Sequence, residues 1–434
     1  MEEGAPASPV THLNGGSMGS LRERNRVLVV DALRRHGQAS RSDLARLTGL
    51  SRTTVGSVVA ALQERGLVVE QAVNGDRQTA RGRPPVLLRL DPTAGVAVGI
   101  AFDHDEVWVV LGDLSSTVLG EHRVEMDVDH SALEAIDVAV EMVRSLQREV
   151  EVDGSQTVGT GVGLPGPIDR RTGRIGSEAI LPGWAGLEPG AELARRLGLH
   201  VEVDNDANLG ALAEASFGAG RGLKDIVYVM IGSGVGAGLV LDGRVHRGAA
   251  GLAGEIGHVQ VRPDGVVCRC GNRGCLETVA GEDALRALLR PRLGYDISTT
   301  DLIGLVAAGD RGACRVVNDA GRAVGQVVAD LTNAINPEAI VVGGQLSEAG
   351  EPLLGGIREA VARHALPAAV QGVRVVVGEL GDRAEVVGAL ASVIGNTEAL
   401  RSNGLPAFSK FAATGAPAGA SRSLARREVR AGST

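Results

Sequence analysis

Two rhythms of apolar residues run along this chain. Between Leu21 and Leu62 they recur every three or four positions, the spacing of helices with one buried face. From Val96 onward, short continuous apolar runs alternate with longer helical stretches, the pattern of an α/β body. In the first region Leu21, Val27, Leu28, Val30 and Leu33 predict a helix over 21–36, stopped at Gly37. Ser40 or Ser42 can cap a second helix that Gly49 breaks, and Ser51 can cap a third that Gly66 ends. The small core expected here is Leu44, Leu47, Leu50, Val55, Val58, Val59 and Leu62. Residues 67–73 and 86–90 read as two strands, with Asn74-Gly75-Asp76 opening the turn between them. A helix, a glycine turn, a capped helix and a hairpin make a winged helix-turn-helix.

The body reads as two halves. Val96–Ile100, Val107–Leu111 and Val118–Val124 are spaced for a three-stranded meander, followed by a helix over 131–150 and short strands at 158–162 and 201–203. Strands at 226–231 and 235–241 open the second half. A helix over about 312–335, strands at Ala339–Gly344 and Val373–Gly378, and a helix over 384–395 complete it. Two sheets, each with its own helices, predict a hinged α/β protein with a cleft, where ligands bind. The expected division is a disordered 1–19, a winged module 20–91, a first subdomain 92–205, a second subdomain 206–400, and a disordered tail 401–434 holding six Arg or Lys and one Glu.

Composition changes this picture in three ways. Aromatic residues are 2% of the 434, so the core must be built from Val, Leu, Ala and Ile. No apolar run is long enough for a membrane span and no secretory leader is apparent, so a cytoplasmic protein is expected. The net charge is −8, yet Ser20 to Leu90 carries 13 Arg and no Lys against 6 Asp plus Glu. A basic module on an acidic body points to double-stranded DNA. Arg52, Thr53, Thr54 and Ser57 on the first turns of the third helix suit base edges and phosphates in a major groove. Arg77, Arg81 and Arg83 lie in the wing, and Pro84 holds Arg83 extended for a minor groove. The competing reading is a solvated basic hairpin on a protein-binding module.

The spacing His258-x9-Cys268-x-Cys270-x4-Cys275 offers one imidazole and three thiolates, the ligand count of a closed structural zinc site. A disulfide fits less well, because Cys268 and Cys270 are too close to pair comfortably and an odd cysteine remains. Cys314 stands alone in a helical pattern and reads as buried. With zinc fixing the loop, Glu255, Glu277 and the outer edge of His258 can face a polar ligand. Asp204-Asn205-Asp206-Ala207-Asn208 ends a strand and opens a helix, a place suited to polyol hydroxyls, although Asp204 there can equally be a helix cap. The glycine-rich turn Gly232-Ser233-Gly234 can cradle a phosphate with bare N–H groups or simply be a tight hairpin. Val341-Val342-Gly343-Gly344 suits a flat base packing on backbone, a weak signal taken alone.

Together, Glu255-x-Gly-His258, Cys268-x-Cys270-Gly-x-x-Gly-Cys275-x-Glu277, Asn205-Asp-Ala-Asn208 and the glycine stretch ending Leu241-Asp242-Gly243-Arg244 resemble the ROK family of repressors, open reading frames and kinases, over about Leu21 to Thr397. The resemblance implies an actin-like, ribonuclease H-like and sugar-kinase-like pair of domains. It implies that Asn205, Asp206, Glu255, His258 and Glu277 bind a sugar, with Asp206 the catalytic base in kinase members. It also implies zinc on His258, Cys268, Cys270 and Cys275. The winged module marks the branch of the xylose and N-acetylglucosamine repressors. ROK kinases open their first sheet with Asp-x-Gly-Gly-Thr; here the stretch reads Ala101-Phe102-Asp103-His104-Asp105. Acidic side chains at that place repel a γ-phosphate, so use of ATP and Mg is not expected. The expectation is a sugar-responsive regulator, most simply a repressor, working as a homodimer or homotetramer; the alternative is an ATP-dependent sugar kinase that also binds DNA.

Overall fold

The computed structural model describes residues 18–71, 86–169, 172–176 and 179–396. The chain divides into two units, Met1–Leu90 and Asp91–Thr434.

The first unit contains α1 (Met18–His36), β1 (Ala39–Ser40), α2 (Arg41–Thr48), α3 (Arg52–Glu64), β2 (Val68–Gln71) and β3 (Leu87–Leu90). Ser40, not Ser42, caps α2: its hydroxyl accepts from the Asp43 N–H while the Asp43 carboxylate accepts from the Ser40 N–H. Gly49 ends α2 at φ 70°, a conformation that costs a glycine little. Ser51 then caps α3 by accepting from the Thr54 N–H. The core is Val29, Val30, Leu33, Leu44, Val55, Val59 and Leu62. Leu47 departs from expectation at 37% exposed, because two-turn α2 buries one face through Leu44 and Leu47 falls at the edge of that stripe. Val27, Leu28, Leu50 and Val58 are half-buried, and Val29 takes the central place in α1. The Leu21 side chain lies outside the described residues. The wing strands β2 and β3 pair antiparallel from Val68↔Leu90 to Gln71↔Leu87, and β1 adds a short third strand beside β3. The turn at Asn74-Gly75-Asp76 and the residues after it to Pro84 are also outside the described residues.

The second unit begins with β4 (Val96–Phe102), β5 (Glu106–Asp113), β6 (Val118–Glu125), α4 (Ala132–Glu149), β7 (Thr157–Leu164), β8 (Ile168–Asp169), β9 (Arg174–Ile175), α5 (Pro189–Leu197), β10 (Val201–Asn205) and α6 (Asp206–Phe217). It continues with β11 (Ile226–Ile231), β12 (Val235–Leu241), β13 (Arg244–His246), α7 (Glu277–Ala280), α8 (Glu282–Leu293), α9 (Thr299–Ala307), α10 (Arg311–Ile335), β14 (Ala339–Gly343), α11 (Glu351–His364), α12 (Pro367–Val370), β15 (Arg374–Val377) and α13 (Ala384–Asn396). The expected meander β4-β5-β6 is present, and β7 and β10 extend it in parallel to give the order β10-β7-β4-β5-β6. The second sheet is ordered β13-β12-β11-β14-β15. Each sheet has its own core: Val98, Ile100, Val109, Ile136 and Val143 in the first, and Val227, Val229, Val317, Val328 and Ile357 in the second.

Helices α6 and α13 meet between the sheets, and glycines let them approach. A Cβ at Gly161 would collide with the Ala389 carbonyl, and one at Gly388 with the Leu209 carbonyl. The C-terminal helix therefore lies directly on the first sheet and against α6, which fixes where α6 begins. Cys314, in α10, is half-buried and its thiol points at the Val306 carbonyl at 3.8 Å.

Candidate functional site

Strand β10 ends and α6 begins without a linking loop. Asn205, rather than Asp204, caps the helix: its Oδ1 accepts from the Asn208 N–H at 3.2 Å and its Nδ2 donates to the Gly166 carbonyl at 3.0 Å. Asp204 has another task. Its Oδ1 accepts from the Asn205 N–H (2.9 Å) and from Asn208 Nδ2 (3.1 Å), while its Oδ2 receives Arg247 Nε and Nη2 at 2.6 Å each. Asp206 comes next, 8% exposed, with Oδ1 accepting from the Ala207 N–H at 2.6 Å.

The second half of the site is a loop pressed on β12. A Cβ at Gly257 would strike the Val235 carbonyl, so the turn carrying Glu255 and His258 sits hard against that strand. Further on, Cys268 N–H donates to the Asn272 carbonyl and Gly271 N–H to the Cys268 carbonyl, closing a tight knuckle. The ligand atoms of His258, Cys268, Cys270 and Cys275 all lie within 4.8 Å of one another. His258 Nδ1 stands 3.7 Å from Cys268 Sγ, and Cys270 Sγ 3.8 Å from Cys275 Sγ. With metal–sulfur bonds of about 2.3 Å, a tetrahedron has edges of roughly 3.8 Å, so this donor set fits a tetrahedral thiophilic ion. Nδ1 faces the thiols, which leaves Nε2 of His258 for the other side. Among these four residues no disulfide forms.

Glu277 follows Cys275 by two residues and its Oε1 accepts from Arg269 Nε at 2.8 Å, while Arg269 Nη2 reaches the Ser233 carbonyl at 3.4 Å. Arg269, between two cysteines, carries no signal in the sequence for this clamp. Electrostatics tie the two halves together. Burial, then the charges of Asp103 and Glu255, push Asp206 up to about 8. Burial, then Glu277, pushes Glu255 up to about 7. Asp206, Glu255 and Glu277 are thus linked in one chain of electrostatic interactions.

The raised Asp206 has a measurable consequence. Below pH 3.8 the carboxyl is protonated in folded and unfolded chains alike. As pH climbs toward 8 the unfolded chain ionises freely and the folded chain does not, so native stability is lost across that window. Asp206→Asn is expected to raise Tm, with a stability gain about 2–3 kcal/mol larger at pH 9 than at pH 6. Thermal melts of both proteins at the two pH values check this; an equal gain at both would mean that Asp206 holds no such proton.

The turn Gly232-Ser233-Gly234 is closed on itself, its Gly232 N–H donating to the Gly234 carbonyl at 2.9 Å. Glu282 donates its N–H to the Gly232 carbonyl, and a Cβ at Gly232 would lie 3.6 Å from Glu282 Oε1. One at Gly234 would lie 3.3 Å from Glu277 Oε2. Two carboxylates therefore border this turn, and the cation that reaches it, Arg269, is already paired with Glu277. The stretch after β4 is equally committed: Asp103 N–H donates to the Glu106 carbonyl, His104 N–H to Asp103 Oδ1 at 2.7 Å, and His104 Nδ1 pairs with Asp129 at 2.7 Å. Val341, Val342 and Gly343 are buried in β14, and a Cβ at Gly343 would collide with the Tyr228 hydroxyl, so only glycine fits at that strand end.

In the first unit, Arg52, Thr53 and Ser57 are exposed on α3. Thr54 is half-buried, and its hydroxyl is 2.8 Å from that of Ser51, so it serves the cap. Arg77, Arg81 and Arg83 lie outside the described residues. Among the described residues no helix is long and apolar enough to cross a membrane.

Comparisons with known proteins agree with this division. The sequence profile of the ROK family matches residues 97–395, and that of the MarR family matches residues 23–78. The xylose repressor of Caldicellulosiruptor bescii is 29% identical over 86% of this chain and 96% of its own length. The glucokinase of Thermotoga maritima is 38% identical, over 56% of this chain and 80% of its own length. Among solved structures, a ROK family transcriptional regulator described as a homologue of the E. coli Mlc protein superposes with TM-score 0.73 at 27% identity, covering 88% of this chain and 98% of that one.

Proposed function

This chain belongs to the ROK family, and from that premise we propose that it is a sugar-responsive transcriptional regulator, a repressor without kinase activity. The observation that carries the reading is the pairing, in one chain, of a winged helix-turn-helix with a ROK body whose phosphate-binding end is acidic. Repressor relatives align over more of the chain than the body alone contains, whereas the glucokinase aligns over just over half. The sugar is held by Asn205, Asp206, Glu255, His258 and Glu277. Structural zinc on His258, Cys268, Cys270 and Cys275 keeps Glu277 and His258 in register. The protein acts as a homodimer or homotetramer, which presents two α3 helices to successive major grooves of a near-palindromic operator. Sugar and operator then compete through linkage.

Fluorescence anisotropy on DNA from the protein's own promoter region tests this, with D-xylose, D-glucose and N-acetyl-D-glucosamine, free and phosphorylated, with and without Mg-ATP. Release by a free sugar without ATP is the expected result. Release only with ATP would sink the non-kinase reading. That second reading has Asp206 in its favour, held at the start of α6, and requires sugar-dependent ADP release that Asp206→Ala abolishes. Within the operator contact, Arg52→Ala is expected to weaken binding by ~1–3 kcal/mol if it meets a base. A change in salt slope with no change in base preference would make it a phosphate contact instead.

A further inference from the structure

The residues assigned to the sugar come from two separate pieces of backbone. Asn205 ends β10 of the first sheet and Asp206 opens α6, while Glu255 and His258 ride on the loop that leaves β13 of the second sheet. Arg247, the first residue after β13, joins them. Its Nε and Nη2 both rest on Asp204 Oδ2 at 2.6 Å, and its Nη1 donates to the Val245 carbonyl at 3.3 Å. The other oxygen of Asp204 holds the Asn205 N–H and Asn208 Nδ2. The Arg247 carbonyl also accepts from the Ala253 N–H, two residues before Glu255. The pair is shielded, with side chains 26% and 15% exposed. A charge-assisted contact of this geometry fixes orientation as well as distance.

We propose that Arg247 is a positioning residue for sugar binding: through Asp204 it sets the place of Asn205 and Asp206 relative to Glu255 and His258, without touching the sugar. A fork that must satisfy Asp204 and the Val245 carbonyl together permits one spacing of the two half-sites. Without it, Asp204 keeps its hold on Asn205 and Asn208 but loses its anchor in the second lobe. The pocket then has its groups but not their relative placement, which is the condition under which binding energy is lost without any contact residue changing.

This assignment rests on the sugar pocket proposed above, so the test separates the two. Sugar affinity is measured by calorimetry on the zinc-loaded full-length protein, using D-xylose, D-glucose and N-acetyl-D-glucosamine as probes. Arg247→Ala is expected to weaken the sugar that wild type binds by roughly ten- to a hundredfold, with operator affinity in the absence of sugar and zinc content unchanged. Arg247→Lys keeps the charge without the fork and recovers only part of the loss. In an Asp204→Asn background, removing Arg247 costs less than about twofold more, because both residues act through one contact. Equal wild-type and Arg247→Ala affinities, or full additivity with Asp204→Asn, would overturn the proposal while leaving the pocket intact. Failure of all three sugars to bind wild type would overturn the pocket and the proposal together. Should Arg247→Ala not fold, as judged by zinc content and circular dichroism, Arg247→Lys carries the test: unreduced affinity there refutes the role of the fork.

Discussion

Glu255→Ala is expected to hold its operator as tightly as the wild type and to stay bound at sugar concentrations that release the wild type. Glu255 lies in the body, on the loop pressed against β12, and contributes nothing to the winged unit's own core. In the pocket proposed for the sugar, its carboxyl acts on Asp206 and feels the charge of Glu277, and it is half-buried and pushed up to about 7. Removing a charged hydrogen-bond acceptor of this kind costs about 2–3 kcal/mol, or roughly thirty- to two-hundredfold in sugar affinity. Glu255→Gln separates the two ways it can act. If the hydrogen bond matters most, Gln retains much of the affinity; if the charge does, Gln behaves as Ala. Anisotropy titrations of sugar into preformed operator complexes read both. Normal release in Glu255→Ala would remove this residue from the pocket.

Under the proposed zinc assignment, stripping the metal is expected to be the second large effect. Cys275 and its neighbour Leu276 are fully buried, and Leu276 belongs to the core of the second sheet, so the chain leaving the half-exposed knuckle is anchored there. Glu277 follows directly and Arg269, between Cys268 and Cys270, clamps it. Loss of zinc leaves the ligand groups without their shared partner, three of them in Cys275→Ser and all four after chelation, and the clamp on Glu277 loosens with the loop. Sugar response is expected to fall by roughly a hundredfold or more, while operator binding without sugar persists. Zinc measured by emission spectrometry, alongside anisotropy on the same sample, reads both quantities. A zinc-free protein that answers sugar at normal concentration would refute the role given to the metal.

Much of the fold was legible because it rests on local signals. Ser51, Gly49 and Gly66 punctuate the winged module through capping and positive φ, which depend on a few neighbouring residues. The strands at 226–231 and 235–241 and the helix beginning near 312 are long and regular enough for their period to speak. Two-residue β1, the short β13, and helices α5, α8, α9 and α11 are not announced in the same way. The helices among them have short or interrupted apolar faces, as in α8 with Pro291 near its end, and tertiary packing stabilises them: α5 rests on β10, and α8, α9 and α11 rest on α10. Leu47 shows the same limit from the other side: an apolar residue at helical spacing is buried only if something lies over it.

For the candidate site, residue types and spacing in the sequence were enough to nominate the four metal ligands, since three thiols and an imidazole so close along the chain have few other uses. The sequence also disclosed the acidic replacement at Asp103 and Asp105. What tertiary structure alone decided is which groups act on one another. Arg247 reaches Asp204 across 43 residues of chain, and Arg269 reaches both Glu277 and Ser233. Glu282 comes to rest against Gly232, and the buried Asp206 feels Asp103 and Glu255. Local chemistry is written in neighbouring residues, because a cap, a turn or a ligand knuckle is formed by them. Charge placement and burial depend on which distant segments the packing of the two sheets around α6 and α13 brings within a few ångströms, and no periodicity along the chain encodes that distance.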